Sequence, residues 1–322
     1  MSSVEMKFRK LGKWGIKVSL FSLGGWTTFG GSLKDEDLAD KIITYAYDQG
    51  VNFFDIADIY GRGEAERMMG KVLKKFPRHH LVISSKVFWP MSEDVNDRGL
   101  SRKHIMESVE KSLRRIGTDY LDLYFCHRFD PETPLEETLR AMDDLVHQGK
   151  ILYWGTSEWS GAQIQEVSQL AQNGRFYPPK VEQPQYNLLM RKKFEKEIAP
   201  VADSLGMGLV VWSPLASGIL TGKYDQGIPE GTRLSRIEWL KKELYREDRI
   251  LKVREMEGIA KELGCSRAQL ALAWTASHSS VSSVITGATS VEQIQENLKA
   301  LQIEITPPIK ERLDQLFPIQ ED

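Results

Sequence analysis

The run FFDIADIYG, residues 53–61, starts as an apolar strand and ends in two carboxylates and a phenol, Asp55, Asp58 and Tyr60. Two more groups suited to proton chemistry close similar apolar runs: Lys86 in LVISSKV and His127 in YLDLYFCH. On neighbouring parallel strands Asp55 and Lys86 can form an ion pair beside the Tyr60 phenol. A free tyrosine titrates near pH ~10. A nearby ammonium favours the phenolate and lowers that value, while the carboxylate keeps the lysine charged. His127, one strand further on, can hydrogen-bond the same substrate oxygen. The set is a proton-transfer assembly built around a phenol. It suits protonation of an oxygen that gains electrons, such as a carbonyl receiving hydride. Asp58 is expected to face solvent or cap the turn at Gly61, outside the chemistry.

These residues need strand ends that converge. Eight apolar runs read as strands: 18–25, 51–57, 81–87, 120–127, 151–158, 180–186, 207–214 and 281–288. Amphipathic segments lie between them. Residues 35–49 place Leu38, Ile42, Tyr45 and Ala46 on one face, and residues 101–116 space Ile105, Val109, Leu113 and Ile116 helically. TPLEE reads as a capping box, with Thr133 as N-cap, Pro134 at the first helical position and Glu136 three residues after the cap. Segments 160–173, 193–205, 248–263 and 290–301 also read as helices. Strands alternating with helices imply parallel pairing, and eight units most simply close into a (β/α)8 barrel, spanning 1–322 as one domain. The rival, an open doubly wound sheet, calls for GxGxxG after the first strand; here that place holds GGWTTFGGS. RKLGKWGIKV reads as a hairpin around Gly12 and Gly15 that plugs the barrel bottom. Residues 215–249 read as a long connection without regular structure, of the kind used as a lid.

Bulk composition fits this. The chain has 322 residues, 41% hydrophobic and 27% charged, with formal net charge -2. That balance suggests neither nucleic acid nor an anionic membrane as partner. Cys126 and Cys265 are too few for a disulfide framework and fit a reducing cytoplasm. The polar N-terminus MSSVEMKFRKLGKWG lacks a signal-peptide core, and no run suits a membrane span. The histidines form no HxH or HExxH array, so no metal centre is expected.

Several motifs resemble the aldo-keto reductases. Residues 53–73, FFDIADIYGRGEAERMMGKVL, are similar to that family's signature, ISSKV to its lysine strand, and GTSEWS and VVWSPLASGILTGKY to its nicotinamide and pyrophosphate segments. GATSVEQIQENL resembles its adenosine-binding segment. The resemblance runs from about residue 7 to 316 in consistent order. FGG, RGLSRKHI and GCSRAQLALAW point to the subgroup that contains beta subunits of voltage-gated potassium channels. The resemblance implies an NADPH-dependent carbonyl reductase with Asp55, Tyr60, Lys86 and His127 as tetrad and Tyr60 as general acid. Gly25 and Trp26 would line the nicotinamide end, and Asp55 would border it. Ser157 and Gln183 would bind the carboxamide, with Glu158 able to accept from it but not donate. Trp212 would stack on the ring. The segment Ser213, Pro214, Leu215, Ala216, Ser217 and Gly218, with Lys223, would hold the pyrophosphate. Gly287, Thr289, Gln293, Glu296 and Asn297 would hold the adenosine end.

The chain departs from the family where many members grip the 2'-phosphate with lysine and arginine: here stand Gly287 and Gln293. Arg233, in the long connection and helped by Thr289, is expected to supply the missing cation, because a guanidinium pairs well with phosphate. His127 stands where animal channel subunits carry asparagine, which favours catalytic competence. Trp26, Phe29, Tyr60, Phe88, Trp89 and Phe129 are expected around the pocket mouth, suiting apolar or aromatic carbonyls. Two readings compete with a reductase of small carbonyl compounds. One is a redox-reporting cytoplasmic subunit, with a homotetramer and a channel alpha subunit as its implied assembly. The other uses Lys86 as a Schiff-base nucleophile.

Overall fold

In the computed structural model the described residues are 5–319. Residues 1–4, part of the polar N-terminal stretch, and 320–322 lie outside the described residues. The first strands, β1 (Phe8–Lys10) and β2 (Lys17–Ser19), pair antiparallel as the expected hairpin. Eight more follow: β3 (Phe21–Gly24), β4 (Phe53–Asp55), β5 (Val82–Val87), β6 (Leu121–Cys126), β7 (Ile151–Ser157), β8 (Val181–Gln183), β9 (Gly208–Val211) and β10 (Val281–Thr286). All neighbours among these eight pair parallel, and β10 joins both β9 and β3, closing a (β/α)8 barrel. Each expected strand is present but shorter. The run 18–25 divides at Leu20, because Lys17–Ser19 pairs within the hairpin and only Phe21–Gly24 enters the barrel.

The barrel strands are rich in Val, Ile, Leu and Phe because both faces are covered. Inward-facing Phe53, Val82, Leu123, Phe125, Val181, Val210 and Ile285 form the interior core, joined from below by Leu11 and Val18 of the hairpin. Leu11 is fully buried. A Cβ on Gly208 would lie 2.6 Å from its side chain, so glycine there leaves room for the plug. The outer faces pack against helices, among them Glu36–Asp48, Glu64–Leu73, Arg102–Ile116, Leu135–His147 and Gly161–Gly174.

Four local expectations change. The capping box at TPLEE does not form: Pro134 is the N-cap residue, and the Thr133 hydroxyl donates to Asp130 at 2.8 Å. Segment 193–205 is a π-turn, Phe194–Ile198, leading into a helix at Ala199–Leu205, since Pro200 has no N–H to continue the regular ladder. The connection after β9 is partly regular: a turn at Ala216–Thr221 precedes helices Arg233–Arg236 and Glu238–Leu244. Leu234, Leu240 and Leu244 are buried there, and this apolar stripe gives the segment its helical form. Helices Glu64–Leu73, Arg267–Ser277 and Pro307–Leu316 lie outside the helical segments read from periodicity.

Because Leu11 fills the barrel floor, Leu11→Ala should lower unfolding stability by about 2–5 kcal/mol in urea titrations. A loss under ~0.5 kcal/mol would mean that the hairpin does not seal the barrel.

Candidate active site

The C-terminal strand ends bring Asp55, Tyr60, Lys86 and His127 together. Asp55 ends β4, and Lys86 sits one residue before the end of the neighbouring β5. The Lys86 ammonium has no exposure and donates to Asp55 Oδ2 at 2.7 Å, to the Ile56 carbonyl at 2.8 Å and to the Tyr60 hydroxyl at 3.1 Å. An ammonium has three donors, and each has an acceptor. The other Asp55 oxygen accepts from Ser84 Oγ at 2.8 Å and Gln183 Nε2 at 2.9 Å. The carboxylate is thus fixed by strands β5 and β8 as well as its own. The Tyr60 oxygen accepts from Lys86, which leaves its own proton for the cavity. The Tyr60 ring meets His127 edge-on, with ring centroids 5.8 Å apart.

The electrostatics correct one expectation. Burial, and then the Asp55 charge, push the Tyr60 phenol well above its ordinary value, against a lowering by Arg128. The phenol therefore rests protonated at neutral pH. Burial pulls the Lys86 ammonium down, and the Asp55 carboxylate opposes this. Burial, Lys86 and Arg128 all pull His127 well below the usual imidazole range, so the ring is neutral. Its Nδ1 is buried and has no hydrogen-bond partner among the described residues.

Asp58 does not face solvent. It is fully buried, accepts from its neighbouring Ile59 amide at 2.6 Å and from Ser108 Oγ at 3.0 Å, and does not cap the turn at Gly61. Burial, reinforced by Glu66, raises it to about 8. Glu66 is buried too, held by Arg115 at 2.5 Å and Ser85 Oγ at 2.6 Å. Glu66, one of two glutamates in the run 53–73, is thus part of the packing between helices and strand.

A cavity of about 960 Å³ opens over the tetrad and extends past the β9 and β10 ends. It is lined by Trp26, Asp55, Tyr60, His127, Ser157, Gln183, Trp212, Ser213, Pro214, Leu215, Ser217, Gly218, Lys223 and Arg233. Gly287, Thr289, Gln293, Glu296 and Asn297 complete its far arm. Gly25 is turned toward Met69, Lys86 lies beneath the floor, and Ala216 is fully buried, so these three do not line it. Glu158 is also outside it. Its Oε1 accepts from the Trp212 indole at 3.0 Å and the Gln185 amide at 2.6 Å, and its Oε2 pairs with Lys193 at 3.1 Å. Glu158 thus sets the orientation of Trp212, whose ring meets Trp26 edge-on at 5.7 Å. Of the aromatic wall, Trp26, Tyr60 and Trp89 line the cavity; Phe29 is buried in the core, while Phe88 and Phe129 pack against it. Arg128, Arg236 and Trp239 line the cavity without having been singled out by sequence. The only available signal for Arg128 was its adjacency to His127.

Among the described residues seven non-glycine residues have positive φ, and all but Arg175 lie in loops after barrel strands: Thr27, Arg62, Glu158, Ser213, Ala216 and Ser217. Each such residue costs on the order of 1–3 kcal/mol and concentrates at functional loops. Lys223, Arg233 and Arg236 line the far arm, and among the described residues none pairs with a carboxylate. Burial, then the charges of Arg233 and Arg236, pull the Lys223 ammonium down. The Arg233 guanidinium lies 5.3 Å from the Trp26 ring centre, and its Nη2 is 3.9 Å from where a Cβ on Gly287 would stand. Glycine at 287 thus leaves this space to Arg233; a lysine there would set a second cation against it. A pocket with uncompensated cations and a strained polar loop fits an elongated polyanion.

A model describing the Aldo/keto reductase family matches residues 21–317. The chain belongs to the aldo/keto reductase family. A probable voltage-gated potassium channel subunit beta of Arabidopsis thaliana is 46% identical over 319 residues, 97% of each chain. One of the same description from Oryza sativa subsp. japonica is 46% identical over 316 residues, 96% of each chain. A putative voltage-gated potassium channel subunit beta of Schizosaccharomyces pombe is 44% identical over 322 residues, 97% of this chain and 94% of its own. As an aldo/keto reductase the chain belongs with oxidoreductases, and no helix among its described residues is long and apolar enough to cross a membrane.

The buried carboxyl behind this aldo/keto reductase site gives a pH signature. Asp58 is raised from 3.8 to about 8 on folding. A carboxyl raised in this way stabilises the fold while protonated; the contribution is complete below the unfolded value and is lost as pH rises through the folded one. Between the two, stability falls by about 1.4 kcal/mol per pH unit for this group. Asp58→Asn should therefore flatten the decline in urea unfolding free energy between about pH 5 and about pH 7.5. An unchanged slope would mean that Asp58 is already ionised in the folded chain.

Proposed function

We propose that the chain is an NADPH-dependent reductase of aldehydes and ketones, with Tyr60 as general acid. The observation that carries this is the use of all three Lys86 donors, one of them on the Tyr60 oxygen, at the floor of a cavity whose far arm holds unpaired cations. The same geometry counts against a Schiff base, which needs a lysine lone pair free of protons and partners.

The chemistry NADPH supplies when bound is a hydride for the carbonyl carbon. The protein's part is binding, orientation and the proton. Trp26 and Trp212 would flank the nicotinamide end, and Ser157 and Gln183 would meet its carboxamide. Ser213, Leu215, Ser217, Gly218 and Lys223 would hold the pyrophosphate. Arg233 and Arg236 would take the 2'-phosphate. Gly287, Thr289, Gln293, Glu296 and Asn297 would enclose the adenosine. Tyr60 gives its proton to the carbonyl oxygen as that oxygen gains electrons, completing the alcohol. The Lys86 ammonium, 3.1 Å away, stabilises the phenolate left behind. Asp55 balances Lys86, so the resting site carries no surplus charge from this pair. His127, neutral, donates a hydrogen bond to the carbonyl oxygen without competing to protonate it.

A second reading has one specific support. The relatives at 44–46% identity over nearly the whole chain are described as potassium channel beta subunits. On that reading the same barrel, as a cytoplasmic tetramer, reports nicotinamide redox state to a channel alpha subunit. Catalysis and docking are compatible. A retained tetrad favours turnover.

Titration of intrinsic tryptophan fluorescence should show micromolar binding of NADPH and much weaker binding of NADH. Arg233→Ala should weaken NADPH by about 10- to 100-fold and leave NADH little changed; equal affinity of wild type and variant for NADPH would remove Arg233 from the phosphate site. Tyr60→Phe should keep NADPH binding and lose about 100- to 10,000-fold in aldehyde reduction. Undiminished turnover by this variant would exclude Tyr60 as the acid.

A further inference from the structure

Among the described residues, Arg128 is the one cation at the tetrad end of the cavity that nothing in the proton-transfer scheme uses. It follows His127 directly in the loop after β6, is half-buried, and lines the cavity. Its Nη1 donates to the His127 carbonyl at 2.5 Å, which fixes the guanidinium beside the tetrad. Its Cζ lies 5.7 Å from the Trp89 ring centre. That ring is 6.3 Å from His127, whose ring is 5.8 Å from Tyr60. Among the described residues Arg128 has no ion-pair partner. The lining at the tetrad includes Ile59, Tyr60, Trp89 and Gln183, uncharged when Tyr60 is protonated, together with Asp55. Asp55 is taken by Lys86 at 2.7 Å and cannot answer a second cation. The positive charge of Arg128 reaches the tetrad, since it lowers Tyr60, Lys86 and His127 alike. An anchored guanidinium that lines the cavity beside the tetrad without a carboxylate partner is a receptor for a planar anion.

We propose that Arg128 is a specificity-determining residue that binds a carboxylate on the substrate, so that the preferred substrates are aldehydes or ketones carrying an acid group a few bonds from the carbonyl. This rests on the reductase reading above and narrows its substrate class. An oxo acid places its carbonyl oxygen at Tyr60 and His127 and its carboxylate on the free edge of Arg128, with the linker against Trp89. A neutral carbonyl of the same shape leaves the guanidinium unanswered. The reaction is unchanged: the carbonyl carbon gains hydride, its oxygen gains the Tyr60 proton, NADPH is oxidised, and the carboxylate is a spectator.

The test compares ortho- and para-carboxybenzaldehyde with their methyl esters, using NADPH and purified wild-type and Arg128→Gln proteins. Wild type should favour at least one acid over its ester by about 10- to 100-fold in kcat/KM. The variant should bring that ratio close to one, chiefly through the KM of the acid. An acid-to-ester ratio near one for both pairs in wild type overturns the proposal. So does a ratio that survives Arg128→Gln, including the case where acid and ester slow equally, since that outcome marks Arg128 as a support for the His127 loop. Binding of benzoate and benzamide to the NADPH-loaded proteins by calorimetry separates this failure from failure of the reductase reading. If no carbonyl is turned over but benzoate binds wild type at least ten times more tightly than the variant, the anion site stands and the reductase reading falls; benzoate binding equal in the two proteins overturns the site.

Discussion

An ammonium without solvent can be kept only where every proton has an acceptor, and the site is arranged around that requirement at Lys86. Burying an unpaired ion costs several kcal/mol even after relaxation. Asp55, the Ile56 carbonyl and the Tyr60 oxygen meet the three protons, and all three come from the strand next door and the turn that follows it. This ties the register of β4 against β5, where Asp55 pairs with Ser84, to the position of the phenol. Asp55 in turn must be satisfied, and its second oxygen takes Ser84 and Gln183, the latter 128 residues away in sequence. Only a closed barrel brings the ends of β4 and β8 within reach across its mouth.

The rim around that centre is strained in a patterned way. Positive-φ residues other than glycine gather in the loops after β3, β4, β7 and β9, while the opposite end is sealed by the apolar Leu11 and Val18. Stability is thus supplied from the closed floor and walls, and the mouth holds shapes that an isolated loop would not adopt. Glu158 shows the linkage. Its backbone sits at φ 60, and from there its carboxylate fixes the Trp212 indole and the Gln185 amide. A residue carried over as a cofactor ligand acts here one layer further back, by orienting a ring that does line the cavity.

Much was legible in the chain itself. Alternating apolar runs and amphipathic segments are local patterns, so the eight strands and most helices could be read from them, with ends displaced where pairing partners decide the limit, as at Leu20. The hairpin plug was legible because two glycines separate short apolar stretches. Less visible were features set by neighbours distant in sequence. The capping box at Thr133 lost to Asp130, a competing acceptor three residues away. The stripe of Leu234, Leu240 and Leu244 was too short to announce helices without the core it packs on.

The sequence by itself determined which chemical groups are present and the order in which strand ends carry them: a carboxylate, a phenol, an ammonium and an imidazole, with a polar loop and several cations further along. These follow from residue type and local periodicity. Tertiary structure alone decided their charge states and directions. Burial, reinforced by Asp55, outweighs the lowering by Arg128 and keeps Tyr60 a phenol; burial also turns Asp58 from an assumed surface acid into an enclosed one. It also leaves Arg128 beside His127 with no ion-pair partner among the described residues. Desolvation and charge pairing depend on everything that surrounds a group in space, and that environment exists only after the barrel has closed.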